Sequence, residues 1–164
     1  MKAIVKTRRR INRSKRLLLI KCGRIISAMR RYLSVGAQGE RAAVQYLKNR
    51  NFIILERNWR FGRGELDIIA QDGRSLVIVE VKTRRVGLSR DFSPAEGITP
   101  KKGEMLRYLT DRYRFHNRRH IKEWRITKTR IDGVYIRYHL RFFGFIANLQ
   151  IEHAHQIVPA SPRF

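Results

Sequence analysis

Two apolar runs joined by a tight turn constrain the fold of this chain more than anything else in it. Residues 66–70 (Leu-Asp-Ile-Ile-Ala) are apolar apart from one acid, and residues 76–81 (Leu-Val-Ile-Val-Glu-Val) are dominated by valine and isoleucine. Asp72-Gly73 between them is a strong hairpin signal, because both residue types tolerate positive φ. A run as oily as the second suits a strand buried on both faces. Three charges interrupt this hairpin: Asp67, Glu80 and Lys82. With Asp72 and Gly73 as the central turn residues, Asp67 pairs with Ile78 and Glu65 with Glu80. Alternation then puts Asp67, Glu80 and Lys82 on one face. Asp67 and Glu80 become diagonal neighbours, roughly 5–8 Å apart between β-carbons. A one-residue slip in register would send Asp67 to the opposite face.

Two carboxylates about 5 Å apart at an effective dielectric near 20 repel by roughly 3 kcal/mol. A core selected for stability alone would not choose that arrangement, and a divalent cation removes the conflict. Mg²⁺ takes hard oxygen ligands, commonly one or two carboxylates with waters and phosphate oxygens. Asp67 and Glu80 are the expected ligands, and the backbone carbonyl of Val81 offers a further oxygen. Lys82 beside the cation is suited to hold or deprotonate a water and to offset charge on a phosphorane-like transition state.

The spacing Asp67, then Glu80-Val81-Lys82, resembles the D…(D/E)-x-K signature of the PD-(D/E)XK nuclease superfamily. A wider set of motifs resembles the bacterial YraN-like (UPF0102) family: Gly36-Ala37-Gln38-Gly39-Glu40, Asn58-Trp59-Arg60, Gly64-Glu65-Leu66-Asp67 and Val79-Glu80-Val81-Lys82-Thr83-Arg84. The resemblance runs from about Val35 to His153. It implies a three-layer α/β/α domain over residues 35–158, with a central mixed sheet flanked by helices. Such an architecture is similar to restriction endonucleases and Holliday-junction resolvases. It further implies Glu40 as an additional acid near the cation, Mg²⁺ or Mn²⁺ as cofactor, and a homodimer as an option, since many superfamily members act as dimers. The chain departs from the family pattern in two places. Gly103 follows Lys102 where relatives carry glutamine, and Arg130-Ile131-Asp132-Gly133-Val134 stands where they carry R-F-D-V-V.

The 164 residues suggest one domain with room for a real core. Thirty-seven basic residues against thirteen acidic ones give a formal charge of +24, which points first to polyanions and so to nucleic acid. The first acid is Glu40. Before it, residues 1–34 form a basic arm followed by an amphipathic helix candidate over 17–33, with Met29 as an alternative start of the chain. The lone cysteine, Cys22, excludes an internal disulfide and a cysteine zinc site, which fits a reducing cytoplasm. Its longest clean apolar run near the start, residues 17–20, is far short of the roughly 20 residues of a spanning helix, so no membrane partner is expected.

Along the rest of the chain, residues 39–49 read as a helix with Glu40 in its first turn, where a carboxylate suits the helix dipole. Residues 51–60 read as a strand and 61–64 as a turn. Residues 83–102 read as a loop whose Arg84, Arg85 and Arg90, with Arg63 and Lys102, are candidate phosphate contacts. Thr99-Pro100 opens a helix to about Asn117, with Met105, Leu106, Leu109 and Tyr113 on one side. Residues 129–138 and 140–149 read as two further strands, and the tail from Pro159 as loose. Asp132 reads as structural. The five histidines read as solvated, His153-Ala154-His155 included. The expected function is a Mg²⁺-dependent endonuclease acting on DNA, branched or repair intermediates included. The alternatives are a non-catalytic nucleic-acid-binding protein that keeps the fold for its basic surface, and an interaction module of a larger DNA-processing assembly.

Overall fold

A computed structural model describes residues 34–86, 98–140 and 146–159. The basic arm, the helix expected over 17–33, Met29, Arg90 and the last five residues lie outside them. Helix α1 (Val35–Lys48) opens the described chain. It is followed by strands β1 (Ile53–Phe61), β2 (Gly64–Asp72) and β3 (Ser75–Arg85), helices α2 (Pro100–His116) and α3 (Arg118–Glu123), and strands β4 (Lys128–Leu140) and β5 (Ile146–Val158). The strands form one mixed sheet in sequence order. β1, β2 and β3 are antiparallel neighbours, β3 and β4 are parallel, and β4 and β5 are antiparallel. A parallel neighbour needs a crossover, and α2 with α3 supplies it.

Alternation in β3 builds a core on each face of the sheet. Val77 and Val79 pack with Ala43 and Leu47 of α1, while Leu76 and Ile78 pack with Leu106, Leu109 and Tyr113 of α2. This is the expected three-layer α/β arrangement. None of the helices among the described residues is long and apolar enough to cross a membrane.

Several local expectations change. Helix α1 begins at Val35, where the Ser34 hydroxyl accepts the Ala37 N–H at 3.2 Å. Glu40 therefore sits in the second turn, beyond the reach of a helix-dipole role. β3 does not stop at Lys82. Residues 83–85, expected in a loop, extend it by pairing with residues 136–138 of β4. The last strand is β5, which carries both His153 and His155, in place of a strand over 140–149. α2 starts as expected, with Thr99 Oγ1 accepting the Lys102 N–H, but Met105 faces outward at 41% exposure.

The central hairpin keeps its strands and shifts its register. Asp72 pairs with Ser75, so the central turn residues are Gly73 and Arg74, not Asp72 and Gly73. Positive φ at the first central position is what a type II′ turn requires, and Gly73 has φ 56°. Asp72 instead ends its strand, with a carboxylate oxygen 2.8 Å from Arg130 Nη2. Moving both partners by one preserves the parity of the pairing. Ile68 now faces Val79, the last pair of the β2–β3 ladder. Beyond it Asp67 meets β3 through its side chain, close enough to Glu80 to feel its charge.

Candidate active site

Asp67 lies at a break in the alternation of β2. Leu66 packs into the α2 cluster, yet Ile68, two residues on, packs into the α1 cluster. On β1 the matching pairs are Trp59 with Leu66 and Arg57 with Ile68. Asn58 between them has φ 53°, in the left-handed region that asparagine tolerates better than most residues. This accounts for the Asn58-Trp59-Arg60 motif. The turn at Asn58 lets Trp59 meet Tyr113 of α2 edge-on at 5.3 Å, while Arg57 reaches Glu40 of α1 at 3.8 Å. At the same break the Asp67 carboxylate takes the place of the next ladder bond, with Oδ2 accepting the Val81 N–H at 2.8 Å.

Glu80 is buried at 3% exposure, on the α2 side. Its Oε1 pairs with Lys82 Nζ at 2.8 Å, and its Oε2 lies 2.9 Å from Lys102 Nζ at the start of α2. The second contact is an ion pair without hydrogen-bond geometry, so Oε2 is a buried oxygen lacking a hydrogen bond. Lys102, a candidate phosphate contact, is engaged here with Glu80. Burial first, then the Glu80 charge, pushes the Asp67 carboxyl up to about 6, against the Val81 N–H and Lys102, and Glu40 adds to the rise.

Glu40 reaches this neighbourhood because Gly39 lets α1 approach β3 closely. A β-carbon on Gly39 would collide with the Thr83 side chain. Asp67, Glu80, Val81, Lys82 and Lys102 thus converge, with Glu40 at the periphery. Arg84 and Arg85 lie beyond Lys82 on exposed positions of the extended β3. Arg63 sits at the exposed tip of the β1–β2 hairpin, four residues and about 13 Å of strand from Asp67.

Sequence reasoning missed Tyr135. It pairs with Lys82 across the β3–β4 ladder, two residues beyond Gly133, the partner of Glu80. Its ring covers Gly133, where a β-carbon would come within 2.7 Å of the phenol oxygen. The aromatic ring thereby fills the space left by glycine in place of the family's valine. Burial, and next the charge of Glu80, raises the Tyr135 phenol above its ordinary range. The signal was the glycine itself, a gap on the strand beside Glu80 that some neighbour had to fill.

Also missed was the environment of Asp132. It is fully buried and contacts Arg130, His153 and His155. The structural reading of Asp132 is compatible with this network, but the reading of His153 as solvated is not, since its side chain is 5% exposed. The acid that meets them is not the adjacent Glu152 but Asp132, which arrives from β4.

The pattern of the uncharacterised protein family UPF0102 matches residues 39–136. A UPF0102 protein of Beutenbergia cavernae is 40% identical over 122 residues, covering 71% of this chain and all of that protein. One from Streptomyces coelicolor is 47% identical over 81 residues, 49% of this chain and 61% of that protein. One from Acidothermus cellulolyticus is 49% identical over 77 residues, 46% of this chain and 56% of that protein. The matched stretch thus spans little more than half the length of the latter two relatives. The family match over residues 39–136 contains most of α1, the central hairpin, α2 and most of β4, which together carry every side chain assembled around Glu80, and the chain belongs to the uncharacterised protein family UPF0102.

Proposed function

We propose that this protein is a Mg²⁺- or Mn²⁺-dependent phosphodiesterase that cleaves nucleic acid, with DNA as the favoured substrate, on a PD-(D/E)XK-like scaffold. The observation that carries the reading is the nearness of two carboxyls at the end of the β2–β3 ladder: Asp67, bound to the Val81 N–H and raised to about 6 by burial and by the Glu80 charge, and the buried Glu80, whose Oε2 has only the Lys102 ammonium beside it. Two hard oxygen donors in that state suit a divalent cation. Asp67, Glu80 and the Val81 carbonyl are the groups to hold it. In a strand the N–H and C=O of one residue point to the same side, so the Val81 carbonyl faces Asp67 as its N–H does. The cation supplies Lewis-acid polarisation of the phosphodiester and eases ionisation of water.

The chain's own groups do the rest. Lys82 orients the water and offsets charge growing on the phosphoryl oxygens. Lys102, now paired with Glu80, would be the ammonium available to a phosphate were a cation to neutralise that carboxylate. Arg84 and Arg85 continue the basic edge, and Arg63 extends it at the hairpin tip. Glu40 adds negative charge that favours the cation. Homodimerisation and a cytoplasmic location belong to the same reading.

One observation favours a second reading, a nucleic-acid-binding protein without catalysis. Glu80 is already neutralised by Lys82 and Lys102, an arrangement that can stand as a closed ion-pair cluster. Cleavage of branched, single-stranded and duplex substrates with Mg²⁺ or Mn²⁺, run beside Glu80→Ala, separates the two. Metal-dependent cutting that Glu80→Ala abolishes supports the phosphodiesterase. Tight binding with no cutting of any substrate leaves the binding protein as the correct reading.

A further inference from the structure

The Asp132 network lies where β4 and β5 part. Ile131 pairs with Val158 and Gly133 with Ala154, so residues 155–157 of β5 bulge opposite Asp132 alone. Gln156 within the bulge has φ 51°. The bulge brings two imidazoles to one carboxylate oxygen. His153 Nε2 lies 3.0 Å from Asp132 Oδ2, and His155 Nδ1 lies 3.3 Å from the same atom. The rings stand 4.2 Å apart between centroids, and the three donor atoms all lie within 4.8 Å of one another.

We propose that Asp132, His153 and His155 form a second cation site, for a zinc-class divalent ion. Bonds of about 2.0–2.1 Å in tetrahedral geometry place ligand atoms about 3.3 Å apart, which the two measured separations approach without rearrangement. Two nitrogens and one oxygen suit zinc, cobalt or nickel, and they do not suit magnesium, which prefers oxygen throughout. The Asp132 carboxylate is held as ligating carboxylates generally are, by further hydrogen bonds. Asp132 Oδ1 accepts the Gln156 N–H at 3.0 Å and Arg130 Nε at 3.2 Å, and Oδ2 lies 3.0 Å from the same Nε. His153 is fixed between Tyr46 and Phe52, with ring centroids 5.9 and 5.8 Å away.

Arg130 is the competing cation, but it also holds Asp72 at 2.8 Å. Two carboxylates against one guanidinium leave a net negative charge when the imidazoles are neutral. Asp132 and His153 are buried, whereas His155 is 62% exposed, so the fourth coordination position opens to water. A bound ion would clamp the β5 bulge to β4.

The test uses tag-free full-length protein, stripped of metal and titrated with Co²⁺ and then Zn²⁺. One equivalent of Co²⁺ should give the intense visible absorption of a four-coordinate ion, displaced by stoichiometric Zn²⁺ and untouched by excess Mg²⁺. His155→Ala should lose both that spectrum and the rise in melting temperature caused by Zn²⁺, whereas Asp67→Asn should keep both. His155→Cys should add the near-ultraviolet charge-transfer band of a cobalt thiolate, a gain that a misfolded variant does not produce. The proposal is overturned if the wild type shows no four-coordinate spectrum at one equivalent. It is equally overturned if His155→Ala retains the spectrum or Asp67→Asn removes it.

Discussion

Replacing Asp67 by asparagine should stabilise the metal-free protein, and the size of the gain follows from the site. The carboxyl moves from 3.8 to about 6 on folding, pushed first by burial and then by Glu80. A folded-state pKa above the unfolded one means that the native state binds the proton more tightly. The native state therefore loses stability as pH rises from about 4 to about 6, and above 6 the whole penalty is present. Two units at about 1.4 kcal/mol each make it about 3 kcal/mol. Asparagine keeps an oxygen for the Val81 N–H at 2.8 Å and carries no charge to repel Glu80. At pH 8 without metal, Asp67→Asn should gain about 1–3 kcal/mol in urea unfolding, shrinking toward zero near pH 4. Millimolar Mg²⁺ should stabilise the wild type and not the variant, because a ligand that binds only the folded state raises its stability. A variant less stable than wild type at pH 8, or a gain that does not change with pH, would refute the account of Asp67 as a strained carboxylate.

Lys82→Met keeps the apolar stem and removes the ammonium beside Glu80; single-turnover cleavage should fall by about 10²–10⁴ while DNA affinity changes only a few-fold. Gly39→Ala forces a methyl group into Thr83 and should cost about 1–3 kcal/mol by thermal unfolding, with Thr83→Ala in the same chain returning part of it. With a formal charge of +24, DNA affinity should fall with a log–log salt slope of magnitude about 5 or more, and a flat salt titration would count against phosphate-driven binding.

The hairpin and its carboxylates could be read from residue types because both are local. Val, Ile and the turn glycine lie within twenty positions, and strand parity survives a small error in the turn. What failed was the choice between two turn residues that both accept positive φ, and Arg130, fifty-eight positions away, decides it by holding Asp72. β5 was misplaced for a related reason. It is an edge strand with mostly exposed positions between 148 and 156, so its apolar signal is thin, and the oilier residues before it drew the assignment. The partners of Glu80 and Asp132 were invisible because they are set by the crossover and by a bulge. No periodicity reports that Lys102 lands on Glu80, that Tyr135 fills the gap at Gly133, or that two histidines reach an acid on another strand. The Asn58 motif could be recognised without being explained, since its purpose is to switch a strand's face.

The parallel pairing of β3 with β4 has a kinetic consequence. Every one of its eleven pairs, from Ser75–Lys128 to Arg85–Tyr138, joins residues 53 positions apart. Non-local pairing of this kind is slow, because the entropy of closing the intervening chain is lost before the contacts form. The β1–β3 meander can assemble first, leaving the oiliest strand of the protein as an open edge until the crossover docks. An edge so rich in valine and isoleucine is a template for pairing with another chain. Glu80, Lys82, Arg84 and Arg85 crowd one end of it and act as gatekeepers during that interval. Neutralising substitutions there should lower the yield of refolding at high protein concentration even where the final fold is unchanged.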